Sequence, residues 1–164
     1  MPPISPLIFP HLPHLPPSPP PSHAPHPPPR QRRCSFIDGQ EVLLLHQMTL
    51  PEPDCWDLPG GGLDPAEDLI TGLRREVAEE IGITNFTIEQ LLTVFEGFYP
   101  EPGGQLHTLN LVYQCRVSPR PLTFTPVDLE EIGPQGIRWL PAQELTPEQC
   151  SDRAWAAIAA AGLV

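Results

Sequence analysis

The residues best equipped for chemistry stand in one short stretch, "GLRREVAEEIGI", from Gly72 to Ile83. It reads as helix and sets Glu76, Glu79 and Glu80 at positions i, i+3 and i+4. Carboxylates so spaced share one side of a helical turn, where like charges repel by a few tenths of a kcal/mol per pair. A solvated acidic face is the ordinary reason for such a cluster. The chemical reason would be a cation on that face. Hard divalent ions such as Mg²⁺ take oxygen ligands, typically one or two carboxylates together with water and substrate phosphate. Ions held there polarise phosphoryl oxygens, stabilise a leaving phosphate and lower the pKa of bound water.

The helix that must position these acids has a buried stripe of Ile70, Leu73, Val77 and Ile81, spaced as an amphipathic helix requires. At about 100° per residue the three glutamates centre roughly 110° from that stripe, flanking the core without entering it. Two N-terminal caps are open. Asp64, with Pro65 at the first helical position and Glu67 behind it, fits a capping box; Asp68 is the other, and leaves Glu67 in the loop. Gly82 suits the left-handed position after the last turn. Gly72 lies on the acidic side, where it leaves the face uncrowded at a cost of about 1 kcal/mol relative to alanine.

The wider spacing decides between the two reasons. Gly61, five residues, Glu67, seven residues, then Arg75-Glu76-Val77-Ala78-Glu79-Glu80-Ile81-Gly82-Ile83 is the full signature of the Nudix hydrolases, and the sequence resembles that family over these 23 residues. The remainder, from about Arg32 onward, fits the family's order of strands and helices loosely. The resemblance implies an α/β/α sandwich with a mixed sheet. It also implies metal-dependent hydrolysis of a phosphoanhydride in a nucleoside diphosphate linked to another group, with Mg²⁺ or Mn²⁺ as cofactor. By the family's pattern Glu76, Glu79, Glu80 and the carbonyl of Gly60 would be metal ligands, and Arg75 would orient the glutamates. Glu67 would brace the loop, with Gly61 and Gly82 shaping the site. Glu79 or Glu76 is the first choice of general base. Glu130 or Glu131, in "DLEEIGPQGIRWL" after Asp128, would supply a further metal ligand or base. The run Gly60-Gly61-Gly62 is expected where a metal or pyrophosphate approaches the main chain closely. Alanine is the family's more frequent residue at the position of Gly72.

Two markers bear on the substrate and point apart. "FYPEPGG" (Phe98 to Gly104) resembles the proline-containing loop of the family's ADP-ribose pyrophosphatases, while Tyr99 falls about where its dinucleoside polyphosphate hydrolases carry a tyrosine. ADP-ribose or a nucleotide sugar is favoured over a nucleoside triphosphate or dinucleoside polyphosphate. The alternative is a Nudix-fold nucleotide-binding or regulatory module without turnover, against which the complete set of box acids speaks. Trp56 is expected to pack beside the site and His107 to lie on the surface.

The supporting elements can be read in turn. "RCSFI" and "EVLLLHQ" flank the turn "DGQ" as a hairpin, and "CWDLPGGGL" carries a brief strand into a glycine turn. "TIEQLLTVFEGF" reads as a strand. Leu109, Leu111, Tyr113, Cys115 and Val117 alternate with mostly polar neighbours, so that their strand is half-buried. "GIRWL" is a further strand, and "SDRAWAAIAAAGL" is a closing helix capped by Ser151 with Trp155 and Ile158 inward. Strands with one helix between them and another at the end make an α/β domain with a mixed sheet.

Residues 1–30 form a separate region. The first 29 hold 14 of the chain's 26 prolines, which remove backbone donors and predict a disordered tail of polyproline II character. The folded hydrolase domain is expected over 31–164. A net charge of −11 lacks the basic footprint of a nucleic-acid binder, and requires a cation between this protein and an anionic substrate. The run of apolar residues needed to span a membrane is missing. Cys34, Cys55, Cys115 and Cys150 form no C-x-x-C pair, and reduced thiols in a cytoplasmic setting are expected. The expected partner is a small-molecule nucleotide, with a homodimer open.

Overall fold

The computed structural model describes residues 29–127, 129 and 132–164; the proline-rich tail, apart from its last two residues, lies outside them, as do Asp128, Glu130 and Glu131. Strand β1 (Arg30–Asp38) turns at Gly39, whose φ of 63° suits glycine, into β2 (Glu41–Gln47). Short strands β3 (Cys55–Asp57) and β4 (Gly60–Gly62) precede helix α1 (Leu69–Ile81). A long hairpin follows, β5 (Thr87–Glu101) with β6 (Gly104–Arg116), and then β7 (Ile132–Pro141) and helix α2 (Asp152–Ala160).

The seven strands form one mixed sheet with the backbone order β3-β2-β1-β6-β5. β1 runs parallel to β6, and the other pairings are antiparallel. β1 and β2 stay paired only at Ile37–Val42 and Asp38–Glu41 before they part. The first half of β1 then pairs with β4, while β2 pairs with β3 and β7. That divergence opens the middle of the sheet beside the glycine run.

Each face carries a helix. Leu73, Val77 and Ile81 of α1 pack on Cys34, Phe36, Leu43 and Leu45, while Ala154, Ala157 and Ile158 of α2 pack on Val42, Leu44, Leu58 and Val112. This is the α/β/α sandwich with a mixed sheet that the sequence predicts. Ser151 caps α2 by accepting from Ala154 N. With both faces covered, the strand of Leu109 to Val117 departs from the expected pattern in its first half: Thr108, Asn110 and Val112 are buried while Leu109 and Leu111 are only partly covered, and Cys115 is buried as expected.

Other expectations are corrected. Cys34 and Cys115 form a disulfide, with their Cα atoms 5.9 Å apart. The parallel register puts Cys34 opposite Tyr113 and Phe36 opposite Cys115, so the two sulfurs meet on one face although 81 residues separate them in sequence. Cys55 and Cys150 are free and buried. The proline-containing loop keeps its place as the tip of the β5–β6 hairpin, with Glu101 paired to Gly104 across Pro102 and Gly103. Proline followed by glycine with φ 89° is the chemistry of a type II turn. Tyr99 is buried. Among the described residues no helix is long and apolar enough to cross a membrane.

Candidate active site

Asp68 is the cap that α1 uses. Its carboxylate accepts from the N–H groups of Ile70 and Thr71, each at 3.0 Å, and Glu67 is left in the preceding loop. Gly82 closes the helix at φ 75°, as expected. Ile70, by contrast, is exposed. Leu73, Val77 and Ile81 keep the stripe, and Gly72 is buried as well, on the acidic side of the helix.

The glycine run lies on β1 in antiparallel register, Gln31 with Gly62, Arg32 with Gly61 and Arg33 with Gly60. What crowds these glycines is the protein. A Cβ on Gly60 would fall 2.1 Å from the Arg32 carbonyl oxygen, and one on Gly61 would fall 2.4 Å from a carboxylate oxygen of Glu76. A Cβ on Gly62 would meet nothing. Close contacts within the fold thus demand glycine at Gly60 and Gly61 on their own account, beside the ligand approach expected there.

The acids stand in different surroundings. Glu80 accepts a 2.5 Å hydrogen bond from Gly60 N. Burial pushes the Glu80 carboxyl up to about 8 against the pull of Arg33 and that N–H. Arg75 gathers the rest. Its Nε and Nη2 donate to the two oxygens of Glu67, both at 3.0 Å, and its Nη1 lies 2.9 Å from both Glu76 and Glu79. These bonds hold Arg75 above its ordinary range, and the bond from Arg75 holds Glu67 below its own.

A hard divalent cation suits this donor set, three carboxylates and a main-chain carbonyl. Among the described residues no group of three or more His, Cys, Asp or Glu side chains is already gathered as a cage. The positive charge between Glu76 and Glu79 is the Arg75 guanidinium, which stands where an ion would attract both. The Gly60 carbonyl accepts from Arg33 Nη1, which takes one of its two lone pairs. Sequence-based assignments on Glu130 and Glu131 lie outside the described residues.

Below the glycine run is a cavity of about 90 Å³, lined by Arg33, Gln47, Thr49, Asp57, Glu80 and Ile132 among others. Arg33 and Asp57, with Arg153 bonded to Asp57, are buried, as is Arg32 on the α1 side of the glycine run. The sequence carries no signal for them: Arg32 and Arg33 stand in a strand, RQRRCSFID, that mixes charged and polar residues with apolar ones. Trp56 packs within the α2-side core, and His107 stacks on Phe98 at the far end of the hairpin.

The family model for the NUDIX domain matches residues 27–160. The chain belongs to the Nudix family. A protein named nucleoside triphosphatase NudI from Enterobacter sp. (strain 638) is 28% identical over 128 residues, 71% of this chain and 86% of that one. Its namesake from Escherichia fergusonii is 30% identical over 131 residues with the same coverage. Among solved structures, a MutT Nudix hydrolase from Burkholderia pseudomallei superposes with a TM-score of 0.66 at 22% identity, over 81% of this chain and 97% of that one. The Nudix domain of Shewanella oneidensis NrtR, complexed with ADP-ribose, gives 0.65 at 20% identity, over 83% and 87%. These likenesses carry the fold, and the family with its curated relatives makes the chain a Nudix hydrolase.

Proposed function

We propose that this Nudix enzyme hydrolyses a phosphoanhydride bond of a small nucleotide, with Mg²⁺ or Mn²⁺ held by Glu76, Glu79, Glu80 and the Gly60 carbonyl. The observation that carries it is Glu80 bonded to Gly60 N while Arg75 holds Glu76 and Glu79 on the neighbouring turn. A bound divalent ion supplies charge to polarise the phosphoryl oxygens and acidity to bound water. The chain's own contribution is placement. Arg75 fixes Glu76 and Glu79, and Glu67 fixes Arg75. Glu79, the most exposed of the three acids with 49% of its side chain accessible, is the first choice to take the proton of attacking water, and Glu76 the second.

The nucleotide is a separate matter. Preference for ADP-ribose or a nucleotide sugar rested on "FYPEPGG", which is a hairpin tip here. The competing tyrosine marker is also weakened, because Tyr99 is buried. A nucleoside triphosphate therefore becomes the first substrate class to test, supported by the two NudI relatives aligned over 86% of their length. Nucleoside diphosphates linked to a sugar come second, supported by the ADP-ribose complex of a protein with this fold. A product assay over both classes, with Mg²⁺ and with Mn²⁺, decides. Turnover of either establishes the reaction and ranks the substrates. Tight nucleotide binding without turnover would establish the binding-module alternative instead.

A further inference from the structure

Arg32 is a fully buried charged side chain beside the glycine run, with 0% of its surface exposed. It has few partners for a guanidinium. Nη2 donates to the Gly62 carbonyl and lies 3.9 Å from Glu67 Oε2, while Nε and Nη1 have no hydrogen-bond partner among the described residues. Burying a charge so sparsely bonded is costly. The space it occupies belongs by helix geometry to residue 72. A Cβ built on Gly72 would fall 2.2 Å from Arg32 Nη1 and 2.4 Å from Glu67 Oε2. Both atoms end long side chains, but Arg32 is enclosed and Glu67 is bound at both oxygens by Arg75, so neither yields freely. The alanine-to-glycine departure in the box and the buried arginine thus account for each other.

We propose that Arg32 is a positioning residue of this Nudix site and that Gly72 exists to admit it. The guanidinium steadies the glycine strand through Gly62 and adds its charge to Glu67. Glu67 in turn grips Arg75, and Arg75 holds Glu76 and Glu79. Alternating charges therefore run from the floor of the sheet to the acids, with Arg32 at the root. The catalytic part of this inference rests on the function proposed above; the pairing of Arg32 with Gly72 does not.

The test is a double-mutant cycle of Gly72→Ala, Arg32→Leu and both together, read by thermal melting and by Mn²⁺ affinity from electron paramagnetic resonance. Alanine ordinarily stabilises a helix interior over glycine. Here Gly72→Ala should lower Tm in the otherwise unaltered protein and raise it in the Arg32→Leu background, a reversal of sign that additive sites cannot give. Each single variant should weaken Mn²⁺ binding by roughly ten- to a hundredfold, the usual effect of removing a group that orients a ligand. Where turnover is measurable, kcat should fall more than KM rises. If Arg32→Leu does not fold, Gly72→Ala alone decides. A higher Tm with unchanged Mn²⁺ affinity, or additive effects around the cycle, overturns the proposal. Failure to cleave any nucleotide would remove the proposed function and leave the melting cycle unaffected.

Discussion

Glu79 and Glu80 are neighbours in sequence with opposite surroundings. Glu79 shares Arg75 with Glu76 near the surface, and Glu80 is turned inward onto the Gly60 N–H. Their losses should therefore separate catalysis from stability. Either Glu79→Gln or Glu80→Gln should lower turnover by about a hundredfold or more with Mg²⁺ or Mn²⁺. Glutamine at 80 keeps an acceptor for Gly60 N and matches the neutral carboxyl that burial favours there, so the Tm of the metal-free variant should hold or rise. Steady-state kinetics and thermal melts on both variants check this. Turnover equal to the parent protein's would remove these residues from the cation site.

At the scale of elements, α1 presents the acids, and its first turn depends on one carboxylate. Asp68 caps Ile70 N and Thr71 N and also accepts from the Thr71 hydroxyl at 2.6 Å. Asp68→Ala should cost about 1 kcal/mol, seen as a Tm lowered by a few degrees and faster amide exchange confined to the first turn. The acids sit further along the helix, so kcat should change little. A loss of activity as large as that of the glutamate variants would show that the first turn sets the site. This helix was legible in the sequence because period, caps and signature agree. The hairpin of β1 and β2 and the cap of α2 were legible for the same reason, each being specified by residues close together in the chain. What escaped was non-local. The cap choice between Asp64 and Asp68, the Cys34–Cys115 pairing and the burial of Thr108 and Asn110 depend on the β1–β6 register or on the loop's packing. Buried arginines escaped because charge in a sequence reads as surface until the covering layer is known.

Across the whole molecule, two features bear on what the domain requires. Pro29 is the first described residue with a tertiary bond, its carbonyl accepting from Leu109 N at 3.3 Å. The prolines of residues 1–28 leave them unable to build helix or sheet ladders, so a chain that starts at Pro29 should match the full chain in Tm and kcat, and a drop in either would assign the tail a part in the fold or reaction. The second feature ties β1, β3 and α2 together. Asp57 of β3, fully buried, accepts from Ser151 at 2.6 Å and from Arg153 Nε at 3.1 Å, with Arg33 of β1 3.7 Å away. Arg153 of α2 extends the network to Glu52 at 3.0 Å. Burial alone would raise the Asp57 carboxyl, but Arg33, Arg153 and the Ser151 hydroxyl outweigh it and hold the group below its ordinary 3.8. Removing the charge strands Arg33 and part of Arg153, and breaking a buried pair in this way costs about 3–5 kcal/mol. Asp57→Asn should therefore melt well below the parent at neutral pH. A carboxyl whose folded pKa is depressed stabilises fully above its unfolded value and loses that contribution as pH falls through the folded one. The gap in Tm between parent and Asp57→Asn should accordingly be constant above about pH 5 and narrow below the unfolded value near 3.8. Melts from pH 7 down to the acid limit of folding test this, and a gap that stays constant or widens on acidification would mean that Asp57 is not held as a paired anion.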